Sequence, residues 1–302
     1  MNSSITTTCA FCGDRAELKE SHIIPKFVFD WLKETSGTGY IRFSQTPNRR
    51  EQEGLKSPML CENCEQRFSI WEKQVSEKIF KPLHNHPGKG FKYGKWLAKF
   101  CASVSWRVAT FYKSKGEFKH FSAALLESTD RALQRWKDFI LDVQPHPGPF
   151  EHHILPLQAI AHTSDPETPS NINRYFLRTV DIDAACTKTQ AFVYAKMCHV
   201  LLVSFIEMPA AKHWRGTKVH INRGYVGGNV VYSLPASFGE YLKSRARIVS
   251  QALDSISVKQ WAKITETYQK DLDRAANSES FRAMNFDVNQ FGQAAFRNDK
   301  DE

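Results

Sequence analysis

Four cysteines carry the first recognisable chemistry in this chain. They form two Cys-x-x-Cys pairs, Cys9/Cys12 and Cys61/Cys64, while Cys101, Cys186 and Cys198 are scattered. A short loop puts both sulfurs of a pair on one side of a tight turn, so two pairs supply the four soft ligands of a tetrahedral Zn2+ site. Between the pairs runs Ser21-His22-Ile23-Ile24-Pro25-Lys26, and directly after the last cysteine comes Glu65. An imidazole, with an ordinary pKa of about 6.5, can accept a proton near neutrality. A carboxylate is a hard oxygen ligand suited to Mg2+ or Mn2+. Glu72 lies one heptad after Glu65, on the same face of a helix.

The elements that must position these groups are legible around them. Pro58-Met59-Leu60 enters the second knuckle as a short strand. A helix leaves it, running from Glu65 toward Phe80 with Phe68, Trp71, Val75 and Ile79 as its apolar stripe. A knuckle followed by a helix is the outline of a treble-clef finger. The sequence of Cys-x-x-Cys, His-Ile-x-Pro, Leu-Cys-x-x-Cys and a helix resembles the zinc-stapled HNH endonucleases, a family with a ββα-metal nuclease module. The resemblance covers the N-terminal part of the chain alone. It implies that His22 is the general base. In that family the residue before the base is Asp or His and binds the catalytic metal; here it is Ser21, which could hold a metal-bound water. Glu65 stands where the family has a metal-facing Asn or His, and Lys56 to Leu60 occupy the place of the family's upstream Asn.

The implied reaction is metal-dependent hydrolysis of DNA phosphodiesters, with RNA also open. His22 would activate a water while Glu65 and Glu72 hold Mg2+ or Mn2+, and Cys9, Cys12, Cys61 and Cys64 would hold a structural Zn2+. A cation at that place would offset charge on the phosphorane and on the departing oxygen. The resemblance also implies a role in bacterial antiviral defence or in mobile elements. The rival expectation is a catalytically degenerate zinc finger that binds nucleic acid or a protein partner.

Charge placement bears on the partner. The formal net charge is +9. Residues 91 to 150 hold ten Lys/Arg against five Asp/Glu, whereas residues 1 to 90 hold thirteen against eleven. The excess therefore follows the finger, where a surface that tracks phosphates would be useful. Lys89, Lys92, Lys95 and Lys99 are the expected phosphate contacts there, together with Arg49 and Arg50 in the loop Thr46-Pro47-Asn48-Arg49-Arg50.

The fold class expected is α+β. A zinc module, residues 1–88, precedes a basic helical segment, residues 89–143. An α+β region of antiparallel sheet and flanking helices, residues 150–284, could dock a protein partner, and residues 285–302 read as a flexible tail. Helices are expected over Lys26 to Lys33, Gly94 to Lys113, Phe121 to Asp142, Ser237 to Leu253 and Ser257 to Ala275. Strands are expected over Tyr40 to Ser44, Glu151 to Ala161, Arg174 to Asp183, Ala191 to Lys196, Cys198 to Glu207, Lys218 to Asn222 and Val230 to Leu234. Gln144-Pro145-His146-Pro147-Gly148-Pro149 is the expected internal break. Glu151-His152-His153-Ile154-Leu155-Pro156 imitates the HNH signature, but no knuckle flanks it and it continues as a strand. No apolar run reaches membrane-spanning length, the first residues lack a secretory pattern, and an odd cysteine count with four in metal-like pairs suits a reducing cytoplasm.

Overall fold

The computed structural model describes residues 7–187, 190–208 and 213–296. The chain is α+β, with antiparallel sheets and a larger share of helix than of strand. It divides into two compact units that interleave in sequence. One joins the chain up to Phe27 with Gly54–Pro156 and Asp181–Ser233; the other joins Val28–Glu53, Leu157–Val180 and the chain from Leu234 onward.

In the first unit the pair β1 (Thr7–Thr8) and β2 (Arg15–Ala16) frames the first knuckle. β3 (Leu18–His22) is followed, after Pro25, by α1 (Lys26–Glu34). β4 (Lys56–Cys61) runs antiparallel to β3, with His22 opposite Lys56 and Leu18 opposite Cys61 and a bulge between Lys19 and Glu20. α2 (Glu62–Val75) begins at once after Cys61 and continues through a π turn, Ser76–Phe80, into α3 (Lys81–Asn85). β5 (Gly90–Gly94) then leads into α4 (Lys95–Lys115), and α5 (Ala123–Ile140) starts on Ser122, whose hydroxyl accepts from the Leu125 N–H. A four-stranded antiparallel sheet in the order β6-β9-β8-β7 completes this unit's main layer, from β6 (His152–Pro156), β7 (Val180–Cys186), β8 (Ala191–Met197) and β9 (Val200–Glu207).

α4 sits at the centre of that unit. Every residue from Leu97 to Ala109 is buried, the mark of a helix enclosed on all sides rather than laid on a surface. Toward the four-cysteine cluster, Trp106 meets Phe11 of the first knuckle edge to face, with ring centroids 5.0 Å apart. Toward the sheet, the Ser105 hydroxyl lies 2.5 Å from that of Ser204 on β9. Lys99 points to the end of α5, where its ammonium donates to the carbonyls of Phe139 and Ile140, groups that a helix C-terminus leaves without partners.

The second unit is helical: most of α1 with α6 (Ile172–Arg178), α7 (Ala236–Asp254), α8 (Val258–Lys270), α9 (Leu272–Ala276) and α10 (Glu279–Phe291). Ile172, Tyr175 and Ala246 form a core cluster where α6 meets α7. Asp287 of α10 is fully buried and accepts from the backbone N–H groups of Asn173 and Arg174 and from the Arg174 side chain.

Several elements differ from expectation. Residues from Asn285 to Phe296 are not a tail in the described chain: they finish α10 and form a 3-10 turn, Gly292–Phe296, because Asp287 ties α10 to the start of α6. Residues 297–302 of the expected tail lie outside the described residues. Tyr40 to Ser44 makes a single bridge, Ile41 to Glu51, and no strand. Arg174 to Asp183 splits into α6 and β7. Lys218 to Asn222 and Val230 to Leu234 contribute isolated bridges, His153 to Lys218 and Arg215 to Ser233. The strand of that region is instead the glycine-rich β10 (Arg223–Gly227), which pairs with β5. Strand preference measures fit to a packed, pleated surface more than any intrinsic backbone tendency, so apolar runs without a partner strand stay irregular.

Candidate metal centre

The first knuckle turns tightly through Cys9-Ala10-Phe11-Cys12. The Cys9 N–H donates to the Asp14 carbonyl and Gly13, in a left-handed conformation at φ +90°, returns its N–H to Cys9. A Cβ at that φ would be strained, so glycine closes the turn. The Ala10 N–H reaches the Met59 carbonyl on β4, which brings the knuckle beside the second pair. Cys61 ends β4 and Cys64 lies in the first turn of α2.

The four Sγ atoms all lie within 4.8 Å of one another. Cys9 to Cys64 measures 3.9 Å and Cys12 to Cys61 3.7 Å. A Zn–S bond of about 2.3 Å in a tetrahedron sets sulfurs about 3.8 Å apart, so these two separations match a donor set that could hold zinc. These separations are far too long for disulfides, and all four thiols are free. The expected zinc ligands are thus brought together.

Their electrostatics also suit a metal. Burial pushes the Cys9 thiol up, but N–H donors from Cys12, Cys61 and Phe11 outweigh it and bring the pKa down to about 7. Burial pushes Cys12 up to about 11, and burial with the nearby sulfurs pushes Cys64 well above the usual thiol range. The Cys9 thiolate comes readily, and a dication is what would make those of Cys12 and Cys64 favourable, with protons released as it binds.

Phe11 anchors this knuckle. It is fully buried, edge to face with Phe68 of α2 and with Trp106 of α4, each at 5.0 Å between centroids.

His22 ends β3, half-buried, while Ser21 beside it is buried. The Ser21 hydroxyl donates to the Lys19 carbonyl and accepts from the Leu60 N–H, so it closes the bulge between β3 and β4 instead of facing a metal. Glu65 is half-buried in the first turn of α2. Its Oε1 is shut from solvent and has no hydrogen-bond partner among the described residues. An orphaned carboxylate oxygen of this kind is a donor that a hard cation would satisfy. Glu72 is committed elsewhere, since its Oε1 accepts from Nη2 of Arg107 at 2.7 Å.

Arg107 is the residue joining the elements of the candidate site that sequence reasoning missed. It comes from the middle of α4, is 1% exposed, and its Nη1 donates to the His22 carbonyl at 2.8 Å. Its guanidinium also lies over the Phe68 ring, 5.5 Å from the centroid. One buried cation therefore holds the end of β3 and the middle of α2 together. The signal for it was a lone arginine inside Val104-Ser105-Trp106-Arg107-Val108, because a charge in an otherwise buried helix must have partners.

The expected phosphate contacts separate into two groups. Lys95 and Lys99 both meet Asp142, at 2.7 and 2.8 Å, and Lys99 is buried, so neither belongs to a free basic stripe. In the second unit Arg49 pairs with Glu51. Arg50 lies over the Tyr40 ring and donates to Lys263 and Thr267 of α8, which makes it a strut of that unit. Lys89 and Lys92 remain exposed, without a carboxylate partner among the described residues. His152 and His153, the look-alike pair, are buried in β6 against Ser204 and Thr217.

No family model, curated protein or solved structure matches the chain.

Proposed function

We propose that the first unit is a zinc-stapled, metal-dependent nuclease module, with His22 as general base and Glu65 as ligand of the catalytic cation. The supporting observation is the Arg107 bridge. It pins the strand end that carries His22 to α2 at Glu72, and Glu65 lies two turns back on the same helix face, a rise of about 10 Å. The four cysteines hold the start of the same helix and the end of β4, the strand paired with β3. In this reading His22 takes the proton of the attacking water. Glu65 turns its orphaned oxygen toward a cation, and Arg107 keeps both elements in register while screening Glu72. Mg2+ or Mn2+, when bound, supplies electrophilic stabilisation of the phosphorane. Ser21 and Glu72 act as positioning residues.

A second reading is a zinc module that binds nucleic acid or a protein without cutting. It is favoured by the engagement of Ser21 and Glu72, which leaves Glu65 as the candidate carboxylate with no hydrogen-bond or ion-pair partner among the described residues.

Supercoiled plasmid and RNA, each incubated with zinc-loaded protein under Mg2+ or Mn2+, separate the two. Cutting that stops with EDTA, and in His22→Ala and Glu65→Ala variants of unchanged melting temperature, is the expected result. Cutting that survives His22→Ala overturns the assignment of the base. Absence of cutting with either metal, beside salt-sensitive binding, selects the second reading.

A further inference from the structure

β5 and β10 form a two-stranded antiparallel ribbon in the first unit, with Lys92 directly opposite Tyr225 and Arg223 opposite Gly94. Along each strand alternate residues face outward: Lys92, Tyr225 and Arg223 are exposed while Tyr93 and Val226 are buried. The ribbon has no carboxylate of its own and none nearby in sequence, since residues 78 to 116 and 208 to 239 contain no Asp or Glu. Lys89, Lys92 and Arg223 have no ion-pair partner among the described residues. Exposed cations in proteins are usually interspersed with carboxylates, and their exclusion from both strands leaves an unscreened positive field.

The aromatic residue is equally particular. Tyr225 is 55% exposed, with the Lys92 ammonium 5.8 Å from its ring centroid. Its inward neighbour Gly224 exists because of Tyr93: a Cβ there would lie 2.2 Å from the Tyr93 hydroxyl, which accepts from the His220 N–H. The outward ring is thus carried on a strand fixed from beneath. Beside it a depression of about 460 Å³ is floored by backbone at Gly88, Gly90, Gly227 and Gly228. The two chains approach so closely there that a Cβ on Gly228 would fall 2.6 Å from the Gly90 nitrogen.

We propose that this ribbon binds single-stranded nucleic acid. Tyr225 stacks on a base, Lys92 and Arg223 take the flanking phosphates, and the bare-backbone hollow admits the sugar-phosphate chain beside Lys89. A stacking ring between cations is the arrangement by which strands without sequence preference are held. A duplex keeps its base faces covered and would engage the cations alone, and an acidic protein would likewise have no use for the ring. The proposal rests on the nucleic-acid reading above for its choice of polymer. It does not need catalysis.

The test is fluorescence anisotropy of the full chain, without added divalent cation, on a labelled oligothymidylate of about 15 nucleotides, the scale of one single-strand site. Tyr225→Ala is expected to weaken binding roughly 5- to 100-fold while Tyr225→Phe retains it. Lys92→Ala and Arg223→Ala should each lower the slope of log affinity against log salt by about 0.7. Lys95→Ala, whose amine Asp142 already holds, should change neither, and no step of the measurement needs the catalytic cation. Failure of the nuclease reading alone would therefore leave these results standing. The proposal is overturned if Tyr225→Ala and Lys92→Ala bind like the parent, if a duplex binds more tightly than the single strand with no loss in Tyr225→Ala, or if polyglutamate competes as well as the oligonucleotide.

Discussion

A guanidinium that is almost wholly shut from solvent has to give its donors away, and Arg107 gives them to a strand end, a helix carboxylate and its own helix at Ser103. The Glu72 side chain keeps about a fifth of its exposure, so the pair is screened on one side only. Removing the cation leaves a part-buried carboxylate and a backbone carbonyl unmatched. Arg107→Ala should therefore cost about 3–5 kcal/mol, the range for breaking a buried pair from one side, and Glu72→Gln less, since an amide oxygen still accepts. Urea unfolding checks this. A loss below about 1 kcal/mol in Arg107→Ala would show that the bridge holds nothing in place. The residue scale is also where sequence reading did worst. Spacing identified the cysteines, because ligand geometry is local and each pair is closed by its own turn. The roles given to Ser21, Glu72, Lys95 and Lys99 depended on which side chain each one meets across the fold, and no local pattern carries that information.

Among the elements, β6 shows how a buried strand can carry two histidines. His152 and His153 sit on opposite faces, and each shares a hydrogen bond with a hydroxyl, Ser204 at 2.6 Å and Thr217 at 2.8 Å. Burial, helped by the neighbouring His153, pushes the His152 pKa down to about 3, and burial lowers that of His153 as well. Below an ordinary pKa of about 6.5 the unfolded chain protonates these rings while the folded chain does not, so stability falls as pH drops through that value. His152 alone contributes a slope of up to about 1.4 kcal/mol per pH unit. Glu151, held down to about 2 chiefly by the neighbouring His153 ring and also by the Lys218 ammonium, loses its own contribution only below the usual carboxylate range. The interval between about pH 6.5 and 5 therefore isolates the histidines. Denaturant unfolding across it should show the decline in the parent and a flatter profile in His152→Gln. Equal profiles would mean that His152 is charged in the folded state. Element identity was mostly legible where periodicity was strong, as in α4, α5, β8 and β9. It failed at β5 and β10, where glycines that allow close backbone approach read as loop.

At the scale of the whole molecule, the zinc module and the sheet share α4. The expected order is a zinc module, a basic helical segment and an α+β region. It does not follow the compact units, because β6 to β10 fold in the same unit as the knuckles. Hydrophobic pattern fixes which face of an element is covered but not which distant segment covers it. A fragment of residues 1–94, ending before α4, would leave Phe11 without Trp106, and Phe68 and Glu72 without Arg107. It is expected to bind zinc yet to expose apolar surface, seen as strong ANS fluorescence and melting without a cooperative transition; a sharply melting, dispersed fragment would refute that. Small zinc folds often travel between proteins as portable cassettes. A finger that finishes its core on a helix enclosed along thirteen residues has given up that portability. It can be inherited only together with the scaffold that encloses it, and any engineered transplant would have to carry α4 along.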